Sequence, residues 1–421
     1  MVNKFIKHKT NILKNVLILQ QLTNISINSM EKNNKNEEKE IKNMYNCCKI
    51  DSNYIGINNI VNKYWLKKAL KTCNFYIVND FNLYKKNSKN FKNNKTWASF
   101  QIENIFNQNS FLFCSNISSF DNLGIFAENK EIISIKCLEC DLENVSKLSN
   151  LFSECINLKS INIENFNINN ININSMFNYC CSLNNLKLPK NEIITSDISK
   201  VFYNCESITS LNLNNFNTKF VKNMRSAFFN CNSLTLLDIS KWNTSNLLTM
   251  ETMFGNCINI EKLDLSNFKT PKLNNLQSTF FNCKKLKYLN ISNLITNNVT
   301  NMRCLFYGCT SLNNINLLNF STEKVNNISF MFSYCENLTD IDISHFNTEK
   351  VEYFSNIFQC CFSLVNCDIS NFSRKIAEKM HKLFNNCYSL TYIKMPSNVK
   401  VKLYKFTNCN SLIIPSKHIK K

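Results

Sequence analysis

From Phe152 to Cys409, apolar and polar positions alternate in a unit of 25 or 26 residues, with a last spacing of 22. Its centre, Phe-x-x-Cys-x-x-Leu/Ile, occurs eleven times, with cysteines at 155, 180, 205, 231, 257, 283, 309, 335, 361, 387 and 409. With the cysteine as position zero, +3 is always Leu or Ile. Positions +6 and +8 are apolar with a polar residue between them, as in Leu211-Asn212-Leu213 and Leu263-Asp264-Leu265. That alternation predicts a short strand with one buried face. Position +11 is an aromatic stop in most units, including Phe166, Phe216, Trp242, Phe268 and Phe320, with Leu294 as the exception.

The second half of the unit has another period. Apolar residues stand at −10, −7 and −3, as in Val221, Met224 and Phe228 or Leu247, Met250 and Phe254. Spacings of three and four predict one face of a short helix. Position −1 is Asn204, Asn230, Asn256, Asn282, Asn386 and Asn408, with Gly308 in the same column. Asn and Gly tolerate the left-handed conformation that ends helices. A fixed period of this length means an array in which each unit buries its apolar face against its neighbours. The fold class expected is therefore α/β: a leucine-rich-repeat-like solenoid of about 11–12 coils, each a short parallel strand plus a short helix, forming a curved rod.

The runs CNSLTLLDISKWNTSNLLTMETMFGNC and CTSLNNINLLNFSTEKVNNISFMFSYC resemble the BspA-like leucine-rich repeat of the DUF285 type. The resemblance covers about residues 126–415. It implies a repeat solenoid and, as for most of that family, a surface or secreted adhesin or interaction protein.

Composition divides the 421-residue chain further. Its net charge of +19 is concentrated at the ends: residues 1–125 carry +10 and residues 388–421 carry +7, leaving +2 for residues 126–387. The expected plan is a basic, disordered segment at 1–53, a small N-terminal element and cap at 54–125, the solenoid at 126–415 and a basic tail at 416–421. Phe126, Asn129, Ile132 and Ile135 read as a degenerate first coil. Only three arginines occur, Arg225, Arg303 and Arg374. Base-specific nucleic-acid recognition leans on arginine, so a nucleic-acid partner is disfavoured. The apolar run Val16–Leu19 is too short for a secretory core, and no stretch of 18 apolar residues exists. Family habit therefore points to the cell surface, and the missing export signal points to an intracellular place.

Candidate chemistry is sparse. The 21 cysteines read as a column of small buried hydrophobes rather than a disulfide or metal framework, although stacking would bring neighbouring thiols near disulfide range. Cys137-Leu-Glu-Cys140 lacks a second ligand pair for zinc. No glycine-rich phosphate loop exists, and none of the four histidines pairs with a repeated nucleophile. No catalytic residue, cofactor or metal is expected. The candidate binding surface is the outward strand face: Asn212, Asp238, Asp264, Asn290, Asn316, Asp342 and Asp368 at +7, with Lys262, Tyr288 and Asp340 at the variable +5. Such polar residues also serve simply to solvate a sheet. The partner expected is another protein or an extracellular or cell-surface macromolecule. An intracellular adaptor using the same face is the alternative.

Overall fold

A computed structural model describes residues 74–78, 97–104, 109–115, 126–142, 145–397, 399–402 and 406–419. The expectation of disorder at 1–53 and much of the region 54–125 lie outside these residues. The described chain begins with β1 (Asn74–Val78), β2 (Trp97–Asn104), β3 (Asn109–Ser115) and β4 (Ile132–Asp141). These pair antiparallel in the order β1-β3-β2-β4, and β4 then pairs in parallel with β5 (Ser160–Asn162), which pairs with β6 (Asn185–Lys187). The antiparallel hairpin and the first coils thus share one six-stranded sheet.

From there the chain is a β-solenoid of about ten turns. The strand positions continue as β7 (Ile193–Ile194), β8 (Ser210–Asn212), β9 (Phe216–Asn217), β10 (Leu236–Asp238), β11 (Lys262–Asp264), β12 (Tyr288–Asn290), β13 (Asn366–Asp368) and β14 (Tyr392–Lys394). The expected continuous strand ladder is interrupted. Past β6, parallel pairs join β8 to β10, β11 to β12, β13 to β14 and, in the strand-exit turns, β7 to β9. A second ladder, unanticipated, runs along −8, where isolated parallel bridges link residues 197, 223, 249, 275, 301, 327 and 353.

The short helices are absent from the repeat. Only α1 (Arg374–Ala377) and a few 3-10 turns are helical among the described residues. The apolar faces read from the sequence do point inward: Val221, Met224 and Phe228 are fully buried. What fails is the backbone. Residue −1 has φ between 55° and 72° in all eleven units, and residue −5 has φ between 53° and 60° from Asn150 to Asn356. A right-handed helix cannot contain a left-handed residue every fourth position. The segment is a string of tight turns, closed for example by Ala227 N–H to Met224 C=O and Cys231 N–H to Phe228 C=O. The remaining donors point along the stacking axis. The N–H groups of Met224, Ser226, Phe228 and Asn230 donate to the carbonyls of Thr249, Glu251, Met253 and Gly255 one coil on. Two helices need about 10 Å between axes. Neighbouring rings at −3 are only 5.2–5.8 Å apart. Helices do not fit a coil that advances so little on its turn side. Successive turns do, and they hand their hydrogen bonds to the next coil.

One continuous core runs along the axis. The −3 rings from Phe126 to Phe384 stack with interplanar angles of 1–16°. Gly255 leaves room for a neighbour: a Cβ there would lie 2.8 Å from the Phe229 ring. The buried threonines at +13 tie coils together. Thr270 Oγ1 donates to the Ile295 carbonyl at 3.0 Å and accepts from the Ile295 N–H at 3.1 Å. Thr218 does the same with Asn243, at 2.9 and 2.7 Å. These hydroxyl bonds run from one coil to the next.

Candidate functional site

The strand positions carry the predicted surface. Alternation turns +6 and +8 inward and +5 and +7 outward. Accordingly Asn212, Asp238, Asp264, Asn316 and Asp342 are exposed, and Asn290 and Asp368 are half-buried. Lys262, Tyr288 and Asp340 are exposed beside them. The structure brings them together as two adjacent columns along one side of the rod.

The +7 residues also have a local task. Each Oδ1 accepts the backbone N–H two residues on: Ser240 to Asp238 at 3.2 Å, Ser266 to Asp264 at 2.9 Å, Leu318 to Asn316 at 3.1 Å and Ser344 to Asp342 at 3.0 Å. Asn212, Asn290 and Asp368 do likewise. This Asx turn bends the chain out of the strand, and either Asn or Asp can make it. Backbone geometry therefore explains the amide or carboxylate oxygen, while the negative charge at four of these seven positions is additional.

The hydrogen bonds shape the electrostatics. The Ser240 hydroxyl and N–H hold the Asp238 carboxyl below the usual 3.8, and Asn214 donates to its second oxygen. The Ser344 hydroxyl and N–H lower Asp342 in the same way. Burial alone would raise Asp368, but Lys394 Nζ at 2.8 Å and Ser370 outweigh it. Asp264 and Asp342 keep a second carboxylate oxygen without a protein partner among the described residues. Apolar groups sit among these charges: Leu236 and Tyr288 at +5 are 69% and 51% exposed.

The thiol column has an unforeseen reason to be cysteine. Every ladder Sγ donates to the carbonyl of the −3 phenylalanine one coil back, at 2.6–3.1 Å. A small apolar side chain with one weak donor fits that slot. Burial pushes the Cys155, Cys257 and Cys309 thiols up to about 12, so they are poor nucleophiles and poor metal ligands. None of the cysteines whose side chains are described forms a disulfide. Cys140 Sγ donates to the Asn165 carbonyl at 3.1 Å, while Cys137 is buried. His345 occupies the +10 column and bonds the Leu317 carbonyl through Nε2 at 3.1 Å, where most other units place an asparagine amide. Among the described residues no three His, Cys, Asp or Glu side chains gather to hold a metal ion. No helix among them is long and apolar enough to cross a membrane.

Sequence reasoning missed the −8 column of Asn172, Asp197, Asn223, Asn275, Asn301 and Asn327. Each Oδ1 accepts the N–H two residues on, at 2.7–3.0 Å. Asn275 and Asn301 also donate to Glu251 and Gln277 of the preceding coil. The signal was visible as an asparagine or aspartate at most of the −8 positions, but a helical reading of the segment left it no role.

Two family profiles match the chain. One is described as the BspA type leucine rich repeat region and covers residues 124–235. The other is described as a Mycoplasma protein of unknown function, DUF285, and covers residues 196–288 and 274–394. No curated protein matches it.

Proposed function

Residues 124–394 belong to the BspA-type leucine-rich repeat and DUF285 families, and from that premise we propose that this repeat protein acts in adhesion at a cell surface, binding a macromolecule along its strand face. Repeat proteins of this kind are interaction proteins whose surface, rather than an enclosed pocket, makes the contacts. The observation that carries the reading is the exposed pair of columns. Charge is retained at Asp264 and Asp342 where the Asx turn would accept asparagine. Tyr288 and Leu236 stand exposed beside Lys262 and Asp340. Carboxylates, a lysine and an aromatic side chain at a variable position are what a protein interface uses for orientation and anchoring. We assign Asn212, Asn290, Asn316, Asp238 and Asp368 to the same face, with the hairpin strands as the cover of its first coils.

Two experiments test this. Labelling exposed lysines on intact source cells reports location, since the ladder thiols are buried and silent. Labelled chain supports the surface role, and chain labelled only after lysis supports an intracellular adaptor. Capture of the partner by Asp264→Asn/Asp342→Asn reports the face. Asparagine keeps both turns, so a folded variant with unchanged capture rejects these carboxylates as contacts.

A further inference from the structure

The coil that starts at Cys180 differs from its neighbours. Asn191 stands at +11, an interruption of the aromatic column beyond Leu294, and Pro189 stands two residues after the end of β6. Leu186 and Leu188 are only half-buried. Their counterparts Leu211 and Leu213 are 7% and 0% exposed. The strand ladder opens at the same place: β6 pairs with β5 alone and β8 with β10 alone. In the next coil Leu236 N–H donates to the Thr209 carbonyl and Leu213 N–H to the Asp238 carbonyl. The equivalent donors here, Ser210 N–H and Leu188 N–H, find no acceptor among the described residues. The ladder also breaks between β10 and β11, where Leu237 is likewise half-buried, but there Ile239, the counterpart of Leu188, stays buried.

Over the opening lies a hollow of about 610 Å³. Leu186, Leu188 and Leu211 contribute apolar lining, Asn212 a polar wall, and Lys190 and Lys241 are its charged residues; no acid lines it. Lys190 is 79% exposed and only loosely paired with Glu164, at 3.9 Å. Apolar surface, unpaired extended backbone and a cationic rim together describe a receptor for an extended chain of opposite charge.

We propose that this hollow docks an extended acidic peptide segment of a partner protein, with an apolar side chain on Leu186, Leu188 and Leu211 and flanking carboxylates on Lys190 and Lys241. This rests on the reading of the strand face as a protein-binding surface. It adds a specific subsite and a specific charge.

The test is fluorescence anisotropy of a labelled peptide that alternates aspartate and valine, titrated with the full chain at low salt. Saturable binding is expected, weakened about tenfold by Lys190→Glu with Lys241→Glu, because two attractive rim pairs become repulsive. Both lysines are exposed, so the doubly substituted chain keeps its circular dichroism. A peptide of lysine and valine is expected not to bind. Absence of saturable binding, equal binding to the charge-reversed chain, or equal binding of the lysine peptide overturns the proposal. Asp264→Asn/Asp342→Asn lies on other coils and should leave the peptide affinity unchanged. Failure of the subsite and failure of the wider face are thereby told apart.

Discussion

Alkali should unfold this protein through its thiols. Burial raises the ladder cysteines, to about 12 for Cys155, Cys257 and Cys309 and well above the ordinary 9.0 for Cys180, Cys205, Cys231, Cys283 and Cys335. Cys361 and Cys387 shift upward too, while Cys409, next to Cys387, shifts downward. In the unfolded chain each thiol ionises near its ordinary value. Above that value the unfolded form sheds protons that the folded form retains, so stability is whole below pH 9 and falls from there toward pH 12. Each raised thiol then costs about 1 kcal/mol per pH unit. Ten of them cost on the order of 10 kcal/mol by pH 10, comparable with the roughly 5–15 kcal/mol that holds an ordinary domain together. Tyr307, raised by burial to about 12, acts in the same direction. The assay follows far-ultraviolet circular dichroism and thiolate absorbance together as pH rises from 8 to 11. The thiolates of the ten raised ladder cysteines should appear together with the loss of dichroism and cooperatively, because they form only when coils open. A thiolate signal large enough to include these ten cysteines that titrates near pH 9 while the dichroism stays constant would refute the reasoning, since the ladder sulfurs would then be in contact with water in the folded state.

Other outcomes follow from single contacts. Phe254→Ala removes a fully buried ring stacked 5.7 Å from both Phe228 and Phe280. It should lower stability to urea by about 3–5 kcal/mol, and a loss under about 1 kcal/mol would contradict the packing described. Thr270→Val keeps the shape and strands the Ile295 N–H and C=O. A cost of about 1–3 kcal/mol is expected, measured against Thr270→Ser, which keeps the hydroxyl. Gly255→Ala drives a methyl group toward the Phe229 ring. It should destabilise by about 1–3 kcal/mol, and the double change Gly255→Ala/Phe229→Leu should restore part of that. At low pH, Asp238, Asp342 and Asp368 are held below their usual 3.8. Their contribution is present above that value and disappears as pH falls through the lowered ones. Carboxyl chemical shifts should titrate below 3.8, and Lys394→Ala should move Asp368 upward.

The solenoid was legible because its period is carried by large residues that must share one interior. Phe254, Cys257 and Ile260 identify an inward face whatever backbone connects them, and so do Leu263 and Leu265. The helices were misread for the same reason. Inward residues at −10, −7 and −3 arise equally from a helix and from successive tight turns, and side-chain spacing alone does not separate the two. The asparagines at −1 did mark a left-handed residue. The second left-handed column, at −5, was hidden because it holds Ser226, Thr252, Ser278, Cys304 and Phe330, residues with no strong preference for that conformation. Neighbouring coils impose it through hydrogen bonds that one coil's sequence does not reveal. At the candidate face, the alternation of Leu263, Asp264 and Leu265 showed which side chains point outward. It did not show that Asp264 also closes a turn, because that role depends on the N–H of Ser266 two residues on.

The transfer of hydrogen bonds from each coil to the next has a mechanical consequence. Tension applied to the two ends would load neighbouring coils in series, and each would peel away as a unit, releasing 26 residues or roughly 90 Å of slack. A tether built this way would yield in instalments.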